Sequence, residues 1–126
     1  MSPDIRAASA DKGILRYLSV PALPAGTTLQ YTDEVEPMRS ILRRYWMATY
    51  LLILNDSAAD IAVDPDYSAI RRLFAPAGAI VKRDDEMFVS FNIVNLSVED
   101  VAADVIRLEI GNQRPDSKGA RIIGGR

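Results

Sequence analysis

Short apolar runs cut by turn-forming residues recur along this chain, and that rhythm constrains its fold more than any other feature. The clearest run is DVIRLEIG at 104–111, where Ile106, Leu108 and Ile110 alternate with Arg107 and Glu109. A period of two puts the three apolar residues on one face and the charged pair on the other, as a half-buried strand requires. MFVSFNIVNL at 87–96 alternates in the same way. Its pattern predicts Met87, Val89, Phe91 and Ile93 on one side and Phe88, Ser90, Asn92 and Val94 on the other. ILRYLSV at 14–20, TTLQY at 27–31, IAV at 61–63, AIRRLF at 69–74 and Ala79 to Lys82 are shorter strand candidates. PALPAG at 21–26 and NDSAAD at 55–60 separate them, because proline removes a ladder donor and Gly, Asn and Asp suit turns. SVEDVAA at 97–103 reads as a loop or one helical turn, with Ser97 and Asp100 spaced as a capping pair.

One stretch resists assignment. ILRRYWMATYLLILN at 41–55 is apolar at nearly every position after Arg44, so periodicity cannot separate a central strand from a buried helix. Tyr45, Trp46, Thr49, Tyr50 and Ile53 favour a strand, whereas Leu, Met and Ala favour a helix. A long strand and hairpin is the preferred reading. A helix over 38–54 is the alternative, and it would make the fold α+β. No internal repeat is visible at the periods of solenoids or propellers.

Seven or eight strands joined by turns predict an all-β, antiparallel β-sandwich. The order strand, ND turn, strand, long crossing, strand, NLS turn, strand resembles the Greek-key rhythm of immunoglobulin-like sandwiches. The chain divides into an N-terminal arm at 1–12, a sandwich domain at 13–111 and a basic C-terminal arm at 112–126. The net charge is −2. The C-terminal arm holds Arg114, Lys118, Arg121 and Arg126 against Asp116, so the rest of the chain is acidic.

The composition excludes much chemistry. Histidine and cysteine are both absent, which removes the Ser-His-Asp triad, thiolate catalysis, disulfides and the usual zinc and copper ligands. No glycine-rich phosphate loop is present. Ser9 to Lys12 matches S-x-x-K by chance and without its partner motif. Three acidic clusters remain: Asp64 with Asp66, Asp84 with Asp85 and Glu86, and Glu99 with Asp100 and Asp104. They read as solvated turns. Calcium ligation and an acidic-pair hydrolase are weaker alternatives. Arg43-Arg44-Tyr45-Trp46 could stack on single-stranded nucleic acid, but an acidic body argues against that partner. The better reading is a strand entering the core with arginine stems over its apolar edge.

No cofactor, metal, nucleic acid or membrane partner is expected, and no apolar leader or span is visible. Synthesis in the cytoplasm and a place in a virion are expected. Holding the C-terminal arm still costs roughly 15–30 kcal/mol of backbone entropy. Ile122 and Ile123 are its one apolar pair. Contact with an acidic neighbour would offset that cost, which makes Arg114, Lys118, Arg121, Ile122, Ile123 and Arg126 the expected interface. The expected function is therefore structural: a non-enzymatic virion decoration, cement or minor capsid component. It would bind copies of itself or a lattice-forming protein through its arms. The alternative is a sugar- or peptide-binding module using Tyr31, Tyr45, Trp46, Tyr50 or Tyr67 as an aromatic platform.

Overall fold

A computed structural model of the chain describes residues 13–112. Both arms, and with them Arg114, Lys118, Arg121, Ile122, Ile123 and Arg126, lie outside the described residues. Eight strands form two antiparallel sheets. They are β1 (Ile14–Ser19), β2 (Thr28–Tyr31), β3 (Tyr50–Asn55), β4 (Ile61–Pro65), β5 (Leu73–Ala75), β6 (Ile80–Arg83), β7 (Phe91–Asn95) and β8 (Ile106–Asn112). The first sheet has the order β1-β8-β3-β6 and the second β2-β7-β4-β5. The protein is thus an antiparallel β-sandwich. Its strand order does not establish an immunoglobulin-like Greek key.

The core lies between the sheets. Leu51 and Ile53 of β3, Ile106, Leu108 and Ile110 of β8, Ile61 and Val63 of β4, and Phe91 and Ile93 of β7 are all fully buried. β8 behaves as its alternation predicts, and it continues to Asn112, the first residue assigned to the tail.

The ambiguous stretch is neither a long strand nor a long helix. Met38–Leu42 form one short helix, α1, which buries Met38 and Ile41. The chain then turns through Arg43–Met47, bridges at Ala48 to Phe88, and enters β3 at Tyr50. AIRRLF also divides, into a 3₁₀ turn at Ala69–Arg71 and the short β5.

The alternation of 87–94 breaks at Ser90. Phe88 and Ser90 are buried on one side of the break, and Phe91 and Ile93 on the other, so Met87 and Val89 are exposed. Asp66 explains the change of phase. Its Oδ1 accepts from the Val89 and Ser90 amides at 2.9 and 3.2 Å, while its own amide donates to the Ser90 carbonyl at 2.7 Å. These bonds draw two adjacent residues out of the ladder, as in a bulge.

The two sheets are copies of one plan. Exchanging each of β1–β4 with the strand four later turns the order β1-β8-β3-β6 into β5-β4-β7-β2, which is the second sheet. Register agrees as well. Asn55 pairs with Ile106 as Asn95 pairs with Ile61, and Leu54 pairs with Ile80 as Val94 pairs with Thr28. The halves are related by a pseudo-two-fold axis.

The sequence carries this duplication as N-x-S-x-x-D at 55–60 and 95–100 and as P-A-G at 24–26 and 76–78. The repeats do not keep a constant spacing, so a search for a fixed period passes over them. Ser97 and Asp100 therefore belong to this turn and cap no helix.

Each turn is built in the same way. Asn55 Oδ1 accepts from the Ser57 amide and hydroxyl, and its Nδ2 donates to Ala59, Ala75 and Pro76 carbonyls. Asn95 Oδ1 accepts from the Ser97 amide and hydroxyl, and its Nδ2 donates to Leu23, Pro24 and Glu99 carbonyls. Asp60 caps the Ala77 amide as Asp100 caps that of Ala25. Gly78 and Gly26 take φ of 77° and 70°, a region that suits glycine in both P-A-G turns.

The axis relates the β4–β5 connection to the free ends of β8 and β1, which lie paired at Asn112 and Ile14. A circular permutant joining Arg126 to Met1 and opened between Ser68 and Ala69 should therefore fold. Cooperative thermal unfolding with a wild-type far-ultraviolet spectrum is the expected result. An unfolded or molten product would contradict the equivalence of the two connections.

Candidate binding surface at the loop end

The end of the sandwich opposite the two asparagine turns is irregular. The long β2–β3 connection, the 66–72 connection and the 84–90 connection meet there. Arg71 ties the last two together. Its Nη1 meets Asp66 Oδ2 at 3.0 Å, its Nε meets Glu86 Oε2 at 2.5 Å, and its Nη2 donates to the Met87 carbonyl. Arg83 adds bonds to Glu86 and to the Arg71 carbonyl. Such a network rigidifies the loops because each member is bonded to more than one neighbour.

Arg72 makes a bidentate pair with Asp64, at 2.7 and 2.9 Å. That bond, working against partial desolvation, raises the guanidinium above its ordinary value. Asp64 is nearly buried, so the pair is part of the fold.

Six of the eight residues in the acidic clusters are thereby accounted for. Asp64, Asp66 and Glu86 hold arginines, and Asp84 lies 3.9 Å from Lys82. Asp100 caps an amide and Asp104 accepts from the Ser19 hydroxyl at 2.6 Å. Among the described residues, no three potential ligands gather as a metal site.

The loop end also holds an open groove of about 460 Å³, lined by Asp33, Leu42, Arg43, Arg44, Tyr45, Trp46 and Val89. Asp33 is the one carboxylate among these residues, so the groove does not provide the facing pair that glycoside hydrolysis uses. Trp46 is 91% exposed, which overturns its reading as a strand residue entering the core. The chain leaves α1 and must cross to the bridge at Ala48, and the turn between them holds Trp46 outside both sheets.

The other members of the expected platform scatter. Tyr31 stacks on Phe91 with centroids 4.9 Å apart, and burial raises its phenol pKa. Tyr50 is on the outer side of β3, and Tyr67 is in the 66–72 connection. Tyr45 joins Trp46 at the groove; Tyr31, Tyr50 and Tyr67 do not line it. Sequence reasoning missed Asp33 and Leu42 among the lining residues, and also Val89. Its exposure follows from the phase change that Asp66 imposes from a distant connection.

Among the described residues, no helix is long and apolar enough to cross a membrane. In comparisons with known proteins, no family model matches the chain, and no curated protein matches it.

Proposed function

We propose that this chain is a non-enzymatic assembly protein that docks onto a protein lattice. The site is the loop end, and exposed Trp46 is the observation that carries the reading. An indole in water beside two arginines, with Leu42, Tyr45 and Val89 in the same groove, is the side-chain chemistry concentrated at protein-interface hot spots. The Arg71 network ties the 66–72 connection to the 84–90 connection that carries Val89, which lowers the ordering cost on that side of the groove. Six of the eight carboxylates in the acidic clusters are engaged in turns and ion pairs. The setting that fits an acidic sandwich with a basic C-terminal segment is a virion shell, with the chain as a decoration, cement or minor capsid component. In that role Arg114, Lys118, Arg121, Ile122, Ile123 and Arg126 add contacts to an acidic neighbour.

In its natural source the full chain should sediment with a large particle at fixed stoichiometry. Trp46→Ala should weaken attachment by about 2 kcal/mol or more, roughly thirtyfold, and shift the chain to the free pool. Its thermal midpoint should not change, because an exposed substitution seldom moves stability by more than about 0.5 kcal/mol. Equal occupancy of the particle by Trp46→Ala, or a wild-type chain found only free, would end this reading.

The same tryptophan supports a second reading, a sugar- or peptide-binding module. Trp46 is the chain's single tryptophan, so its emission reports directly on the groove. A saturable blue shift with an oligosaccharide or peptide, together with loss of the calorimetric binding signal in Trp46→Ala, would favour the module over the lattice.

A further inference from the structure

The outer surface of the first sheet has a property that the fold does not require. Its outward side chains are those between the buried ones: Tyr17 on β1, Arg107 and Glu109 on β8, Tyr50, Leu52 and Leu54 on β3, Ile80 and Lys82 on β6. Tyr17 is 71% exposed and Ile80 67%. The pseudo-two-fold axis supplies an internal control. By register, Leu52 corresponds to Asn92, Leu54 to Val94 and Ile80 to Thr28. The second sheet folds with polar residues at two of these three places. The apolar character of the first sheet's outer face is therefore not needed to build the sandwich, and a face of this kind calls for a partner.

Charge and register say which partner. Register sets Tyr17, Glu109, Leu52 and Lys82 in one row across the four strands. A two-fold axis running along the strands between β8 and β3 lays β1 of one copy over β6 of another. Tyr17 then meets Lys82 of the second copy, an aromatic face against an ammonium. Glu109 lies over Leu52 of that copy, within side-chain reach of the same Lys82. In the next row Arg107 covers Leu54 with its aliphatic stem. The same axis sets Glu109 beside Glu109 and Arg107 beside Arg107 of the two copies. The complementarity of this isologous contact therefore rests on Tyr17 and Lys82 at its two edges, and the association is weak. We propose that two copies of this chain pack through the outer faces of their first sheets, with Tyr17 of each against Lys82 of the other.

This deepens the assembly reading by giving the self-contact a surface, and it rests on that reading only in supposing that copies meet. Four strands and three rows make a face about 20 Å square. That is small for a specific interface, so dissociation in the micromolar range is expected.

Sedimentation equilibrium of the full chain, diluted through that range, tests the proposal. Wild type should pass from dimer to monomer. Leu52→Asn with Ile80→Thr, which borrows the residues of the second sheet, should weaken association at least about tenfold with an unchanged circular dichroism spectrum. Tyr17→Lys alone, at an exposed position, should do the same by placing two lysines together. Adding Lys82→Glu to Tyr17→Lys should restore the dimer. Residues 17 and 82 are on opposite edges of one sheet, so rescue can arise only between copies. Trp46→Ala should dimerise normally, which separates this surface from the loop end. A wild type that stays monomeric, wild-type association of the substituted faces, failure of the rescue, or loss of the dimer in Trp46→Ala would each overturn the proposal.

Discussion

Gly111→Ala should destabilise the sandwich by at least about 3 kcal/mol and lower its thermal midpoint by roughly 12 °C or more. A Cβ at this position would stand 2.0 Å from the Ile14 carbonyl oxygen and 3.1 Å from Leu15 Cα. Both neighbours are backbone, so no side chain can rotate away. β1 must move off β8 instead, and β8 is its one ladder partner among the described residues. Relief of the clash therefore loosens the whole edge strand. Amide exchange over 14–19 should accelerate more than exchange over β3 or β7. Gly26→Ala is the control. Its φ of 70° strains an alanine, but nothing lies within 4 Å of the new methyl, so the expected loss is only about 1–2 kcal/mol. Equal losses at the two glycines, measured by chemical denaturation, would contradict the close approach of β1 to β8.

Asn55→Ala and Asn95→Ala should each lose about 3 kcal/mol, and by similar amounts. Each side chain is almost completely buried and satisfies three carbonyls through one amide nitrogen. Removing the amide deletes these buried hydrogen bonds and leaves a gap in the turn, although most of the carbonyls keep a second donor, such as the Ala79 amide for Pro76 and the Val101 amide for Leu23. Asn→Asp at either position should be at least as damaging as alanine. It keeps the acceptor for Ser57 or Ser97 but turns the donating nitrogen into an oxygen aimed at carbonyl oxygens. Matching losses would bear on the duplication itself, since the two residues hold equivalent places in the two halves. A large loss at one and none at the other, read from denaturation midpoints, would show that the turns are alike in geometry but not in energetic weight.

Different parts of the fold were legible to different degrees. The β8 strand was readable because Ile106, Leu108 and Ile110 alternate with charged residues, and that alternation is itself the burial pattern. The stretch 41–55 was not, because Leu51 and Ile53 face the core while Leu52 and Leu54 face outward with the same chemistry. An outer face with an apolar character of its own hides the period that would have marked β3. The phase change at Ser90 was equally hidden, since its cause, Asp66, arrives from another connection. The duplication was present as N-x-S-x-x-D and P-A-G, but its copies interlock across two sheets and their spacing varies. For the loop end, RRYW showed the right residue types and left their side open. The exposure of Trp46 depends on how far the chain must travel between α1 and the Ala48 bridge.

Residue order alone was enough for an antiparallel all-β chain, for the turns that punctuate it, and for a surface without histidine or thiol chemistry. Those properties are local, written in alternation, in turn formers and in the side-chain types available. Which strand lies beside which, which of two apolar faces becomes the core, and where Trp46 emerges depended on partners far along the chain. A strand offers the same backbone hydrogen bonds to any neighbour, so its position is selected by the packing of the complete sandwich.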